Sequence, residues 1–327
     1  MTVAKEVDPQ VYDKYLRGMY LLNQSNNRVR RRGISILEGL VEDGNADARV
    51  YAALAYGYAA LGHSPYPEGM YPASKLAARR AMELDDSIAE VHLALGMHSM
   101  YYDWDFPAAE ASLLRAIELN PNLTGAHYHY AWLMELMQRS DLALPAGDIT
   151  VDLDPLSTSM RGDLAMQYQN AGQLERAIVI ADETLQMNPN SDVARAAKAL
   201  ALAQMGDANV AVRVSSKIPV GAAFRFMHLV VMAKVGWDDD ARDLIARFAH
   251  EPRNLVTLIN VYGALGDVEE TLHWMRIAKE VRLPWYPWFI TWFPFMDEVR
   301  QDPRMRELAA ELGLTDALER SLQTALP

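Results

Sequence analysis

The sequence predicts an all-α fold, a right-handed α-solenoid of about eight helix pairs with a C-terminal cap. Three observations lead there. The phrase apolar–Asn/Asp–Pro recurs as Leu119-Asn120-Pro121, Leu153-Asp154-Pro155 and Met187-Asn188-Pro189, its prolines 34 residues apart. Gly172 and Gly206 repeat the same interval. Between these landmarks apolar residues recur at three- and four-residue steps, and no convincing strand interrupts them. A unit of this length forms two helices and a turn, cannot bury its apolar face alone, and must stack on its neighbours.

In chain order, Pro9 to Asn23 reads as the first helix, carried by Tyr12, Tyr15, Leu16, Met19 and Tyr20. Asn27 caps a second that ends near Asp43-Gly44. The run Arg28, Arg30, Arg31, Arg32 reads as a solvated outer face, with a docking surface for an acidic neighbour as the alternative. Ala46 to Leu61 is the next helix. Three prolines and a glycine from His63 to Pro72 then forbid helix until Ala73. Regular pairs follow at 89–102 with 106–119, 123–137 with 141–152, 157–171 with 174–187, and 191–205 with 207–216. The interval then shortens, since Gly236 and Gly266 are 30 apart. Pairs at 221–235 with 238–249 and at 253–265 with 267–281 still fit. The aromatic stretch from Trp285 to Phe295 reads as a cap on the open end of the array, and short helices start from Asp302 and Thr315. Residues 1–283 are thus the repeat array, and 284–327 the cap and terminal helices.

Composition narrows the function. Half of the 327 residues are hydrophobic and 23% are charged, so the chain folds. The 43 acidic and 31 basic residues give a net charge of −12, which opposes nucleic-acid binding. Cysteine is absent, which removes disulfides, thiolate metal sites and cysteine nucleophiles. The polar start, Met1 to Gln10, lacks the apolar core of a signal peptide, and no apolar run of spanning length occurs. The expectation is a cytoplasmic protein without membrane insertion.

Within the repeats, His92-x-x-Leu95-Gly96-x-x-Ser99 with Ala109-x-x-x-Leu113 and Pro121 sets a pattern. His127-x-x-Tyr130-Ala131-x-x-Met134 with Ala143 and Pro155, and Arg161-x-x-Leu164-Ala165-x-x-Tyr168 with Ala177 and Pro189, repeat it; Tyr51-x-x-Leu54-Ala55-x-x-Tyr58 fits as well. Small residues let helices approach and larger ones fill the gaps. These segments resemble tetratricopeptide repeats (TPR), although the usual Trp and Phe are missing. Tyr15-Leu16-Arg17-Gly18, Tyr101-Tyr102-Asp103-Trp104-Asp105-Phe106 and Asp302-Pro303-Arg304-Met305 are similar to stretches of the C-terminal TPR regions of bacterial multidomain regulators. Those regions follow winged-helix, Ser/Thr kinase or nucleotide cyclase domains. Over roughly residues 9–314 the resemblance implies a scaffold or sensor module whose effector domain lies elsewhere.

No phosphate loop, dinucleotide-binding turn, nucleophile elbow or His-Glu-x-x-His helix is present, so no enzyme is expected. His92, His98, His127 and His129, with Asp103 and Asp105, invite a metal. However, His127 and His129 point to different sides of their helix, and core or groove imidazoles are the expectation. No metal or cofactor is expected.

Binding remains. The first helix of each pair should line a concave groove with Tyr56, Leu93, Met97, Met100, Tyr101, Tyr128, Trp132, Glu135, Met166, Gln169 and Asn170. The TPR class that grips chaperone C-terminal carboxylates carries Lys and Asn at places held here by Leu93 and Met97, Tyr128 and Trp132, and Gly162 and Met166. The groove is therefore expected to be apolar and aromatic, with Trp132 as anchor for a protein or peptide partner. Self-burial of these side chains, self-association of the chain, a small-molecule-sensing domain with a closed aromatic cavity, and an enzyme with an unrecognised site are the alternatives.

Overall fold

A computed structural model describes residues 8–24, 26–62, 70–219, 221–246, 254–292 and 295–324, the side chains of 244 and 246 aside. All secondary structure among these residues is helical. Two compact units divide the chain, Met1–Ala126 and His127–Pro327.

The first unit contains α1 (Pro9–Leu22), α2 (Asn27–Glu42), α3 (Ala48–Gly62), α4 (Met70–Leu84), α5 (Ala89–His98) and α6 (Phe106–Leu119). Each helix packs on its pair mate, while α3 also packs on α2 and α5. Helix α7 (Thr124–Leu136) leads into the second unit. There follow α8 (Ser140–Leu153), α9 (Thr158–Asn170), α10 (Leu174–Met187), α11 (Asp192–Gln204), α12 (Ala208–Ser215), α13 (Phe226–Lys234), α14 (Asp238–Ala246), α15 (Leu255–Ala264) and α16 (Val268–Glu280). Four short helices end the chain: α17 (Trp288–Thr291), α18 (Asp297–Gln301), α19 (Pro303–Glu311) and α20 (Thr315–Thr324). First helices stack on first helices, α9 on α11 and α11 on α13, while α10 lies against both α9 and α11. This is the packing of an α-solenoid, with eight helix pairs among the described residues before the terminal segment.

The repeat motif has a physical reading in these contacts. Ala55, Ala109, Ala131 and Ala165 are all fully buried or nearly so. A Cβ on Gly96 would meet Leu113 Cγ at 2.7 Å, so α5 and α6 approach too closely there for any larger residue. The tyrosines that close the motif in two repeats bind backward to the preceding helix. Tyr58 Oη donates to Glu38 Oε1 at 2.6 Å and Tyr168 Oη donates to Asp148 Oδ2 at 2.9 Å, each across 20 residues.

The turn inside the pair repeats as well. Trp104, Gln138, Gly172 and Gly206 all have positive φ (58°, 54°, 73° and 84°) and follow one another at the 34-residue interval. Two of the four lack glycine. Gln138 gains partial compensation, because its Nε2 donates to Glu135 O at 3.1 Å.

Several helix bounds differ from the expectation. Helix α4 starts at Met70, before Pro72, because a proline in the first turn loses no helical hydrogen bond; residues 63–69 of the expected loop lie outside the described residues. Helix α5 ends at His98, and Ser99–Asp103 form a π-turn that stops at left-handed Trp104. One additional residue per turn therefore shifts the sides faced by Met100 and Tyr101 from those of a continuous α-helix. Helix α13 begins at Phe226, behind turns at 221–225. The expected ends at 249 and 253 lie outside the described residues. In the arginine run, Arg28, Arg31 and Arg32 are exposed, whereas Arg30 is half-buried and donates to Leu22 O at 3.1 Å.

Candidate functional site

Helix α7 carries Tyr128, Trp132 and Glu135 at three- and four-residue spacing, so all three share one side. Helix α9 brings Asp163, Met166, Gln169 and Asn170 next to them. The link is a ladder between successive first helices, one repeat plus one residue apart. Tyr128 Oη donates to Asp163 Oδ2 at 2.9 Å, Asn170 Nδ2 donates to Glu135 Oε2 at 3.4 Å, and Gln169 Nε2 donates to Gln204 Oε1 of α11 at 2.9 Å.

The chain's own C-terminal stretch covers this side. Pro284 and Pro287 keep it from forming a long helix. It lies instead across α7, 155 residues earlier in sequence. The Trp132 ring meets Trp285 (centroids 6.1 Å, 75°) and Trp292 (5.4 Å, 65°) edge-on, and Tyr128 from its own helix (6.4 Å, 71°). Trp292 Nε1 donates to Glu135 Oε2 at 3.0 Å, and Thr291 Oγ1 donates to Leu136 O at 2.8 Å. Arg320 of α20 adds two bonds to Met137 O, at 2.9 and 3.2 Å. The last carbonyls of a helix lack intrahelical donors and carry its negative dipole end, so a hydroxyl and a guanidinium are suited to them.

The groove residues predicted from the sequence thus meet different fates. Trp132 keeps only 5% of its surface, and Glu135, Met166 and Gln169 are buried. Tyr128 and Asn170 are half-buried. In the first unit Leu93, Met97, Met100 and Tyr101 are buried, and Tyr56 is half-buried. Burial pushes the Tyr56 phenol pKa up, against a smaller lowering by Arg30. Self-burial, the alternative weighed against an open groove, describes Trp132 and its neighbours. Sequence reasoning missed Asp163, Gln204, Thr291 and Arg320. It singled out Trp285 and Trp292 only as parts of an end cap; no local signal says that they return to α7.

Electrostatically the site is unusual for its buried acids. Burial pushes the Glu135 carboxyl up to about 7, although the Trp292 and Asn170 donors lower it. Asp163 also rises to about 7 through burial, with a lowering from Tyr128 and a further rise from Asp192. No cation enters either balance.

The histidines do not converge. His92 bonds Asp86 O at 2.8 Å, and buried His98 bonds Tyr71 O at 3.0 Å with Nε2 3.2 Å from Asp103 Oδ2. Burial lowers the His98 pKa first, against Asp103. His127 and His129 are core imidazoles. Among the described residues no three His, Cys, Asp or Glu side chains form a metal-binding group. None of the described helices is long and apolar enough to cross a membrane.

No protein-family model matches the chain, and no curated protein matches its sequence. Solved structures do. A tetratricopeptide repeat protein from Parabacteroides merdae is similar over 84% of this chain and 98% of its own, with a TM-score of 0.51 and 13% identity. Yeast Tom70 is similar over 95% of this chain and 70% of its own, with the same score and identity. The Cut9–Hcn1 tetramer of APC/C is similar over the whole chain, which spans 57% of that chain's length, again at 0.51 and 13%. The fold is a TPR solenoid. At such identities the likeness of these TPR proteins extends to the fold and no further.

Proposed function

We propose that this chain is a noncatalytic, cytoplasmic scaffold that binds a protein or peptide partner, with residues 1–283 as the repeat array and 284–327 as its cap. The observation that carries the reading is the way the second unit holds its own residues 285–292. Ring-to-ring contacts with Trp132, an indole bond to Glu135 and a hydroxyl bond to a helix-end carbonyl are the contacts an aromatic peptide would make. Within the second unit, Tyr128, Met166, Gln169 and Asn170 belong to that binding side in this reading. As in the bacterial regulators it resembles, the module would serve an effector domain outside it.

A synthetic peptide reproducing residues 285–292, labelled for fluorescence anisotropy, tests the proposal. It should bind a variant whose own segment is weakened by Trp285→Ala and Trp292→Ala, and bind the unaltered protein at least tenfold more weakly. A peptide with both tryptophans replaced by alanine should not bind. Absence of saturable binding by the variant, shown helical by circular dichroism, would defeat the proposal.

A further inference from the structure

Helix α1 carries more apolar surface than the core of the first unit uses. Gly18 and Leu22 are buried, with Gly18 tight against Leu37 of α2, and Val11, Tyr15 and Met19 pack half-buried on the same core. A different side of the helix carries Tyr12, Leu16 and Tyr20, one on each of three successive turns. These side chains are 43%, 47% and 68% exposed. No other described helix exposes large apolar side chains on three successive turns. Scattered exposed apolar residues are ordinary on a protein surface, whereas a contiguous row marks a contact. Part of the row is already held in place: the Tyr12 ring stacks on Tyr15 (centroids 6.3 Å, 25°), over which the Arg49 guanidinium lies at 5.8 Å.

The charges beside the row say what covers it. Asp13 and Arg17, one turn apart and both exposed, run along one edge of the row. Among the described residues neither forms an ion pair within the chain, whereas Lys14, on another side of α1, is taken by Asp43 at 3.2 Å. An acid and a base on a single edge are complementary to a copy of that edge running the opposite way. Let two α1 helices face each other, antiparallel, across a two-fold axis near Leu16. Tyr12 of each copy then lies opposite Tyr20 of the other, and like edges of the two helices meet. Asp13 comes beside the other copy's Arg17, twice, offset along the axis by about 3 Å, which an arginine side chain spans. Parallel pairing would instead set this edge against the uncharged one that bears Met19 and Asn23.

We infer that α1 docks a second copy of this chain, α1 against α1 and antiparallel, through Tyr12, Leu16 and Tyr20 with Asp13 and Arg17 paired across the contact. The same patch serves both chains, so the contact closes as a dimer and does not propagate. Exposed ion pairs add little strength, but they select the direction of the pairing. Three apolar side chains from each copy make a small interface, so dimer and monomer exchange. The first unit supplies the whole contact, which sets it apart from the peptide reading of α7 in the second.

Sedimentation velocity of the full chain, from micromolar to millimolar concentration, should show a reversible monomer–dimer equilibrium. Leu16→Glu should weaken the dimer at least tenfold while circular dichroism reports an unchanged helix content, since this side chain lies outside the core. Should that variant fail to fold, the charges provide a second measurement. Asp13→Arg alone should weaken the dimer several-fold, and Asp13→Arg combined with Arg17→Asp should restore it. The sequence has no cysteine, so an introduced one reports its own neighbours. Under mild oxidation, differently tagged chains carrying Tyr12→Cys and Tyr20→Cys should form mixed disulfides in preference to disulfides between identical chains. A monomer at every concentration would overturn the inference and leave the row to a different protein or surface. So would a dimer that Leu16→Glu does not weaken, a charge exchange that fails to restore it, or disulfides that join identical chains.

Discussion

The indole of Trp292 donates to the buried carboxylate of Glu135 at 3.0 Å across 157 residues of chain. This bond joins the first helix of the second unit to the segment that follows its last repeat pair. Trp292→Phe keeps an aromatic ring against Trp132 but leaves Oε2 with only the longer bond from Asn170. Loss of a buried hydrogen-bond partner costs about 1–3 kcal/mol. Urea unfolding of the variant should show a lower midpoint with an unchanged slope, the product of slope and shift matching that loss.

The same carboxylate should make stability depend on pH. The folded value of Glu135 is about 7, above the 4.5 expected of an unconstrained glutamate. The folded state therefore holds a proton that the unfolded state has released. Its contribution is complete below the unfolded value, declines from about pH 4.5 and is lost as pH rises through 7. The full span amounts to on the order of 3 kcal/mol. Asp163 acts in the same direction, since burial also raises its carboxyl to about 7. Thermal midpoints should fall from pH 5.5 to pH 8 in the natural protein. In Glu135→Gln the fall should be visibly smaller; an identical profile would remove Glu135 as its source.

Trp132 is held by three rings and keeps only 5% of its surface. Truncating a buried tryptophan costs about 3–5 kcal/mol. Trp132→Ala should lower the thermal midpoint accordingly. A variant that melts as before would restore Trp132 to the exposed position that its repeat register suggested.

Gly172 tests the turn by itself. Its φ is +73°, and nothing lies within 4 Å of the place a Cβ would occupy. Gly172→Ala therefore measures the cost of the left-handed backbone without any clash, about 1 kcal/mol. Gly206→Ala, one repeat later and equally open, should give the same loss in denaturant titrations.

Helix content should be insensitive to chelators, since stacking supplies the core. Far-UV circular dichroism before and after treatment with EDTA should coincide. A loss of signal would revive the histidines as ligands.

What the sequence determined by itself is everything that is local and periodic. Leu-Asn-Pro and its two echoes fixed the repeat length, and small residues such as Gly96 and Ala109 marked where helices touch, because a short repeat must present the same contacts to each neighbour. That logic carried the pairs from α7 to α12 almost to the residue. It also placed Tyr128, Trp132 and Glu135 on one side of α7, since helical geometry alone decides that. Periodicity was less informative where the chain departs from it: at the π-turn after His98, and in the aromatic stretch after Leu283. Only tertiary structure decided that Trp285 and Trp292 return to Trp132, and that Thr291 and Arg320 reach the end of α7. Contacts over 155 to 183 residues leave no mark in a spacing. They arise because the large indole on this side of α7 gains more from being covered by the chain's own proline-broken segment than burial of the neighbouring carboxyl costs.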